Sequence, residues 1–256
     1  TTLVDALLRY SGSLKSGRDA VAQERVMDSN ALERERGITI LSKNTSVEWQ
    51  NYRINIVDTP GHADFSGEVE RILSMVDSVL LLIDAVEGPM PQTRFVVQKA
   101  FANKLRPLVV INKCDRKGAR PDWVVDQTFD LFDKLGATDQ QLDFPIAYCS
   151  ATLGYARPEP DGVETDLQFL FDMIIEHAPR PKVTAEGALQ MQISSIDYSP
   201  YVGTIGIGKI QRGEVFSGQE LIVIDQNGRK RKTRNNDLIA FNGLARENRE
   251  HAVAGE

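Results

Sequence analysis

From residue 1 to about residue 178 the chain alternates between two apolar periods. Leu3, Val4, Leu7 and Leu8 share one helical face. Polar sequence follows to about residue 36. Residues 46–49 and 53–57 then read as the arms of a hairpin turned at Gln50 and Asn51, and a helix is predicted after Gly61, ending near Met75. Residues 78–83 form a short, almost wholly apolar run, as a parallel strand buried on both faces does. A helix is predicted over 92–103, a buried strand over 107–111 and an amphipathic helix over 123–135. A strand over 145–149 and a helix over 167–177 complete the series. Strands alternating with helices predict an α/β domain with a parallel sheet.

Pro179 and Pro181 punctuate the chain, and the pattern changes beyond them. Residues 188–196, 201–210 and 220–224 are β-rich, Gly203, Gly206, Gly208 and Gly213 interrupt them, and Asn227-Gly228 is a strong hairpin turn. The division predicted is an α/β domain over residues 1–180 and a small β-barrel over 186–256.

Composition narrows the class without naming a chemistry. Of 256 residues, 41% are hydrophobic and 26% charged, which is ordinary for a folded globular protein. No apolar run approaches the roughly 20 residues a membrane-spanning helix needs, so no membrane partner is expected. Two cysteines, Cys114 and Cys149, imply no disulfide framework, and a reducing, cytoplasmic setting is the default. A net charge of −6 gives no whole-surface attraction to nucleic acid, so RNA would have to be met through a local patch or another domain. Both ends read as cut: no initiator Met is present, and Thr1-Thr2 leads straight into an apolar-periodic stretch. A processed mature chain is the alternative.

Candidate chemistry lies where the apolar strands end. Asp58, in Val57-Asp58-Thr59-Pro60-Gly61-His62, is a hard oxygen ligand suited to Mg²⁺ at the edge where open α/β sheets bind ligands. Gly61 lets its backbone N–H approach a phosphate. A plain turn of Asp, Pro and Gly would read the same way. Asn112-Lys113-Cys114-Asp115 ends the next buried strand. The Asp115 carboxylate can accept from the N1–H and 2-amino group of guanine, whereas adenine lacks that donor pair. Asn112 can bond the base and tie neighbouring loops together, and the Lys113 stem can lie over the purine face. The motif is weak by itself; following the Asp58 element at this distance gives it weight. Ser150-Ala151, after the strand over 145–149, could turn backbone N–H groups to the guanine O6. In Glu33-Arg34-Glu35-Arg36-Gly37-Ile38-Thr39-Ile40 a charged segment ends in Thr39, whose hydroxyl can reach Mg²⁺, as in a switch loop ordered by a γ-phosphate. A solvated loop before a strand has the same composition.

Other polar groups carry less. Cys114 and Cys149 have no His or Asp pattern to activate them and read as small buried hydrophobes. His177 and His251 show no metal-ligand spacing. Arg229-Lys230-Arg231-Lys232 with Arg234 is either a solvated hairpin or a phosphate-contacting patch.

The order RERGITI, DTPGHADF, NKCD and SA resembles the translational GTPases, relatives of elongation factors Tu and G. Four linking phrases, VMDSN from Val26, GPMPQTRF from Gly88, GARPDW from Gly118 and QMQIS from Gln190, narrow the likeness to the BipA (TypA) family, over essentially the whole chain. The resemblance implies a P-loop GTPase domain followed by a translation-factor β-barrel, with GTP and Mg²⁺ as cofactors. Asp58 would be the switch II aspartate, His62 would position the attacking water beside Gly61, and Thr39 would be the switch I magnesium threonine. Asn112, Lys113, Asp115, Ser150 and Ala151 would read the guanine. That family's phosphate loop ends Gly-Lys-Thr-Thr-Leu-Val-Asp; Thr1-Thr2-Leu3-Val4-Asp5 match its end, making Thr1 a Mg²⁺ ligand and Thr2 its neighbour at the GTP. Lys117 departs from an expected proline.

The activity implied is GTP hydrolysis on the ribosome, in contact with rRNA and ribosomal proteins, during large-subunit assembly and in stress or cold adaptation. A monomer is expected. An elongation-factor role in moving tRNA is the first alternative, and a ribosome-docking module without catalysis the second. Without the first strand and the rest of the phosphate loop, these 256 residues are expected to be impaired as an enzyme. A gap or an exposed strand edge is expected beside the strands ending at Asp58 and Asn112.

Overall fold

A computed structural model describes residues 1–13, 39, 42–60 and 66–256. Gly61, His62 and all of the charged switch-like segment except Thr39 lie outside the described residues. The chain divides into two compact units, Thr1–Pro179 and Arg180–Glu256.

In the first unit α1 (Thr2–Tyr10) forms where the sequence spacing placed it, with Leu3, Val4, Leu7 and Leu8 buried. The Thr1 carbonyl accepts the Asp5 amide at 3.0 Å, closing the first turn. Strands β1 (Lys43–Trp49) and β2 (Tyr52–Asp58) pair antiparallel around Gln50, whose φ of 52° supplies the left-handed turn residue. Helix α2 (Ser66–Leu73) leads to β3 (Val79–Asp84). Then come α3 (Pro91–Ala102), β4 (Pro107–Asn112), α4 (Pro121–Lys134), a short α5 (Asp139–Leu142) and β5 (Ile146–Ser150). A three-residue β6 (Tyr155–Arg157) and α6 (Gln168–His177) end the unit. Strands β3, β4 and β5 run parallel in that order, and β6 adds antiparallel to β5.

The helix starts follow from capping chemistry. Pro91 and Pro121 each occupy a first helical position, where a missing N–H costs nothing. Thr93 accepts the Met90 amide at 3.1 Å. Val124, Thr128 and Phe132, spaced by four, are buried along α4. Phe132 meets Phe101 and Phe144 edge-on at ring distances of 5.2 and 4.9 Å. A second aromatic group ties α1, β1 and α6: Trp49 stacks on Phe171 at 4.6 Å and lies 5.4 Å from Tyr10. Leu3, Leu7 and Leu8 share this second core with Val110, Ala147 and Leu170.

Two expectations need correction. The strand ending at Asn112 has no free edge: β4 lies between β3 and β5, and its residues 107–111 are all buried. Among the described residues it is β3, ending at Asp84, that pairs on one side only, while β2 pairs only with β1. Nor is β3 buried on both faces, since Leu82 is 40% exposed. An apolar run records what a strand buries against elsewhere in a fold, and a ladder neighbour is a tertiary fact.

The strands of the second unit pair antiparallel, and one isolated parallel bridge joins Thr184 to Arg212. β7 (Gln190–Ser199) pairs β8 (Gly203–Arg212), and β9 (Glu214–Phe216) pairs β14 (His251–Val253). β10 (Glu220–Ile224) pairs β11 (Lys230–Arg234), and β12 (Leu238–Asn242) pairs β13 (Ala245–Arg249). Single backbone bonds join these pairs, such as Ser217 N–H to Glu250 O at 2.9 Å. Ile210, Val215 and Ala252 form the core, with Leu189, Met191, Leu221 and Leu238 against it. Gly208 sits where β8 crosses a register shift in β7, and a Cβ there would fall 1.8 Å from the Gln192 carbonyl oxygen.

Candidate nucleotide and magnesium site

Helix α1 docks its apolar face, and this brings Thr1, at its N-cap, to the C-terminal end of β2. Thr1 Oγ1 donates to Asp58 Oδ2 at 2.7 Å and lies 2.5 Å from Thr39 Oγ1. The Thr1 nitrogen is 3.3 Å from Asp58 Oδ1. Three hard oxygen donors from separate parts of the sequence thus meet around one point. The side chains of Thr1 and Asp58 are only 8% and 11% exposed. Two hydroxyls and one carboxylate are the donor set that suits a small hard cation holding several waters, and not a thiol- or imidazole-seeking metal. Thr2 opens α1 as an exposed residue beside this cluster.

The second cluster is built on Asn112, at the end of β4. Its Oδ1 accepts the Lys113 amide at 2.8 Å, the Ala151 amide at 3.0 Å and the Cys149 thiol at 3.3 Å. One side chain therefore clasps the loop after β4 to the loop after β5. The Asn112 carbonyl also accepts the Ala85 amide at 2.8 Å, bringing in the loop after β3. Ala151 thus spends its amide on Asn112 in this arrangement. Ser150 is fully buried, and its Oγ accepts the Leu153 amide at 3.1 Å. Asp115 is exposed and has no hydrogen-bond partner among the described residues, which leaves its carboxylate available.

Lys113 has φ of 67°, a left-handed conformation that a non-glycine residue adopts at a cost. Its Nζ lies 2.7 Å from Asp84 Oδ2, with Arg116 at 3.5 Å from the same oxygen. Asp84 Oδ1 accepts the amides of Val86 and Glu87. Burial pushes the Asp84 carboxyl up, but the Lys113 hydrogen bond and these amides outweigh it and hold the group below its ordinary value. Asp84 was absent from the sequence candidates. The signal that singled out Asp58, a carboxylate closing an apolar strand, was equally present there.

Neither cysteine is poised for chemistry. Burial pushes both thiols well up, Cys149 the further. Two of the linking phrases prove to be in contact. The Arg120 guanidinium stacks on Trp123 at 3.9 Å and donates to the Val86 carbonyl at 3.0 Å. Gly88, at φ 73°, faces the Trp123 ring so closely that a Cβ would stand 3.0 Å from it.

A parallel α/β sheet whose strand ends carry this clasp, together with a hairpin whose last residue carries the oxygen cluster, is the architecture of a nucleotide-binding G domain. Residues 1–180 match the family described as the elongation factor Tu GTP binding domain, and the chain belongs to that family. All 256 residues align at 59% identity with the large ribosomal subunit assembly factor BipA of Haemophilus influenzae, at 58% with that of Escherichia coli K12 and at 53% with that of Buchnera aphidicola. The resemblance carried by the linking phrases therefore holds over the full chain. The chain spans about two fifths of those relatives' length, 41% for the Haemophilus protein. Among solved structures, translation elongation factor SelB of Methanococcus maripaludis, in complex with the GTP analogue GppNHp, superposes with a TM-score of 0.68 at 26% identity. The match covers 85% of this chain and 44% of that one.

Proposed function

We propose that the first unit binds GTP with Mg²⁺, and that the protein to which it belongs hydrolyses GTP as a ribosome-associated factor in large-subunit assembly. The observation that carries the reading is the convergence of Thr1, Thr39 and Asp58, in a domain whose β4 ends in a clasped loop of the NKxD type. Thr1 and Thr39 hydroxyls and the Asp58 carboxylate would hold Mg²⁺, which when bound supplies charge neutralisation at the β- and γ-phosphates. Thr2 lies next in line at the N-terminus of α1, where backbone N–H groups favour phosphate.

On the base, Asp115 accepts from N1–H and the 2-amino group, and Lys113 covers the purine face. Asn112, Ser150 and Ala151 set the loop against which O6 rests. The reaction is in-line attack of water on the γ-phosphate, in which positioning and charge stabilisation provide most of the rate. His62 is the residue that would orient the water, with Gly61 beside it. Slow intrinsic hydrolysis is expected away from the ribosome. Contact with rRNA and ribosomal proteins, a cytoplasmic location and a monomeric state belong to the same reading. Among the described residues no helix is long and apolar enough to cross a membrane.

The test is nucleotide binding by calorimetry with and without Mg²⁺, for GTP and ATP, followed by co-sedimentation of the whole protein with large ribosomal subunits. GTP binding that is Mg²⁺-dependent and lost in Asp58→Asn supports the proposal, as does GTP-dependent pelleting. Equal affinity for ATP, or pelleting indifferent to nucleotide, defeats it.

A further inference from the structure

The basic run that the site does not use is displayed as a ribbon. In the β10–β11 pair Lys230 faces Ile224, Lys232 faces Ile222, and Arg234 faces Glu220. Residues directly opposite share a face of the sheet. Leu221 and its partner Thr233 point the other way, Leu221 being packed on the core of the second unit. The outer face is therefore Lys230, Lys232 and Arg234 in a row along one strand, with Ile222 and Ile224 beside them at 62% and 60% exposure. Alternate residues of a strand are about 6.8 Å apart, a spacing of the same order as that of successive phosphates along a nucleic-acid strand.

Charge balance shows that the two lysines of this row are not used internally. Arg229, Lys230, Arg231 and Lys232 form no ion pair among the described residues. The two carboxylates at hand are otherwise placed. Glu220 stands opposite Arg234, and Asp225 accepts the backbone amides of Asn227 and Arg229. Arg234 donates to the Gly218 carbonyl at 2.6 Å. A dense, uncompensated cationic strip on a chain of net charge −6 is a local field with one address.

We infer that the outer face of the β10–β11 ribbon is an RNA-docking surface, with Lys230 and Lys232 on the phosphate backbone and Ile222 and Ile224 against the sugars. It rests on the ribosome-associated reading above and names the surface that meets the RNA. The contact is independent of sequence, because flexible lysine ammonium groups reach phosphates and read no base edges.

The experiment is fluorescence anisotropy of the 256-residue chain with a labelled mixed-sequence RNA hairpin, from about 50 to about 200 mM salt. Removing both lysines, as Lys230→Ala with Lys232→Ala, is expected to lower the slope of log affinity on log salt by about 1.4–1.8, at ~0.7–0.9 per phosphate contact. Lys230→Arg with Lys232→Arg should restore the slope, and Lys134→Ala on the first unit should leave it unchanged. No RNA binding at low salt, an unchanged slope in the double alanine variant, or a loss confined to phosphatidylserine vesicles or to poly-glutamate would each overturn the inference. Guanine-nucleotide binding is measured on the same preparations. Its retention beside an unchanged RNA slope removes this inference alone, and its loss from every preparation removes the GTP reading alone.

Discussion

Lys113 Nζ sits 2.7 Å from Asp84 Oδ2, so the cation of the loop after β4 is held by the carboxylate that closes the neighbouring strand β3. The pair joins two adjacent strand ends and restrains a lysine whose backbone is already in a left-handed conformation. Asp84 is 13% exposed and Lys113 48%, so the pair is partly screened by water.

Asp84→Asn is expected to destabilise the first unit by about 1 kcal/mol, the lower part of the range for a charged hydrogen bond because Lys113 faces solvent. Because the folded state holds the Asp84 carboxyl below its ordinary value, its contribution is complete above that value and is lost as pH falls through the lower, folded one. Urea titrations should show wild type and variant converging below about pH 4 and separated at pH 7. A constant separation across that window would remove the ion pair as the cause.

Asn112→Ala removes the acceptor for two backbone amides and a thiol at once. The expected loss is about 2–3 kcal/mol, at roughly 1 kcal/mol per bond with a desolvated amide left unpaired. Calorimetry should show the transition of the first unit lowered by several degrees. Asn112→Asp keeps the oxygen acceptors and should recover most of the loss.

Asp115→Asn should act on binding and not on folding, since Asp115 is exposed and has no hydrogen-bond partner to lose among the described residues. Guanine-nucleotide affinity is expected to fall at least about tenfold, the equivalent of ~1.4 kcal/mol, with the melting curve unmoved. Titration with a fluorescent guanine nucleotide beside circular dichroism checks both halves. A variant that binds normally would take Asp115 out of base recognition.

Gly208→Ala puts a methyl group against the Gln192 carbonyl at a β-bulge, with backbone rather than a movable side chain in its way. The second unit should lose amide protection over β7 and β8 in hydrogen exchange, while β3, β4 and β5 keep theirs. Normal protection at residues 190–212 would show that the bulge can shift.

Cys149 is buried and its thiol is pushed far up by desolvation; Cys114 shifts the same way. Alkylation by iodoacetamide at pH 8 should be slow in the folded chain for both residues and fast in denaturant. Rapid modification of the native chain at Cys149 would contradict the packing.

Much of the fold was legible because its signals are local. The spacing of Leu3, Leu7 and Leu8 and the apolar run of β4 each follow from one segment's own chemistry. Asp58, Asn112 and Ser150 stood out in the sequence as candidates, since each closes a strand with a polar type. What was not legible depended on neighbours. The four-residue α5 and three-residue β6 are too short to carry a period, and they form against surfaces made elsewhere. The one-sided pairing of β3 and the full enclosure of β4 could not be read from two similar apolar runs.

The sequence by itself determined the alternation of strands and helices, the change to β structure after Pro179 and the residue types available at each strand end. These depend on backbone preference and on side-chain chemistry within a few residues. The resemblance implied that Thr1, Thr39 and Asp58 serve one ion, and the residue type let Asn112 tie loops together. Only the tertiary structure decided which atoms meet: Thr1 Oγ1 on Asp58 Oδ2 and Thr39 Oγ1, and Asn112 Oδ1 on the Ala151 amide. It alone decided that Asp84 holds Lys113 and that Lys230 and Lys232 share an outward face. Each of these is a contact between residues distant in the chain, or a matter of which face of a strand the core covers. Packing sets both, and no local pattern encodes them.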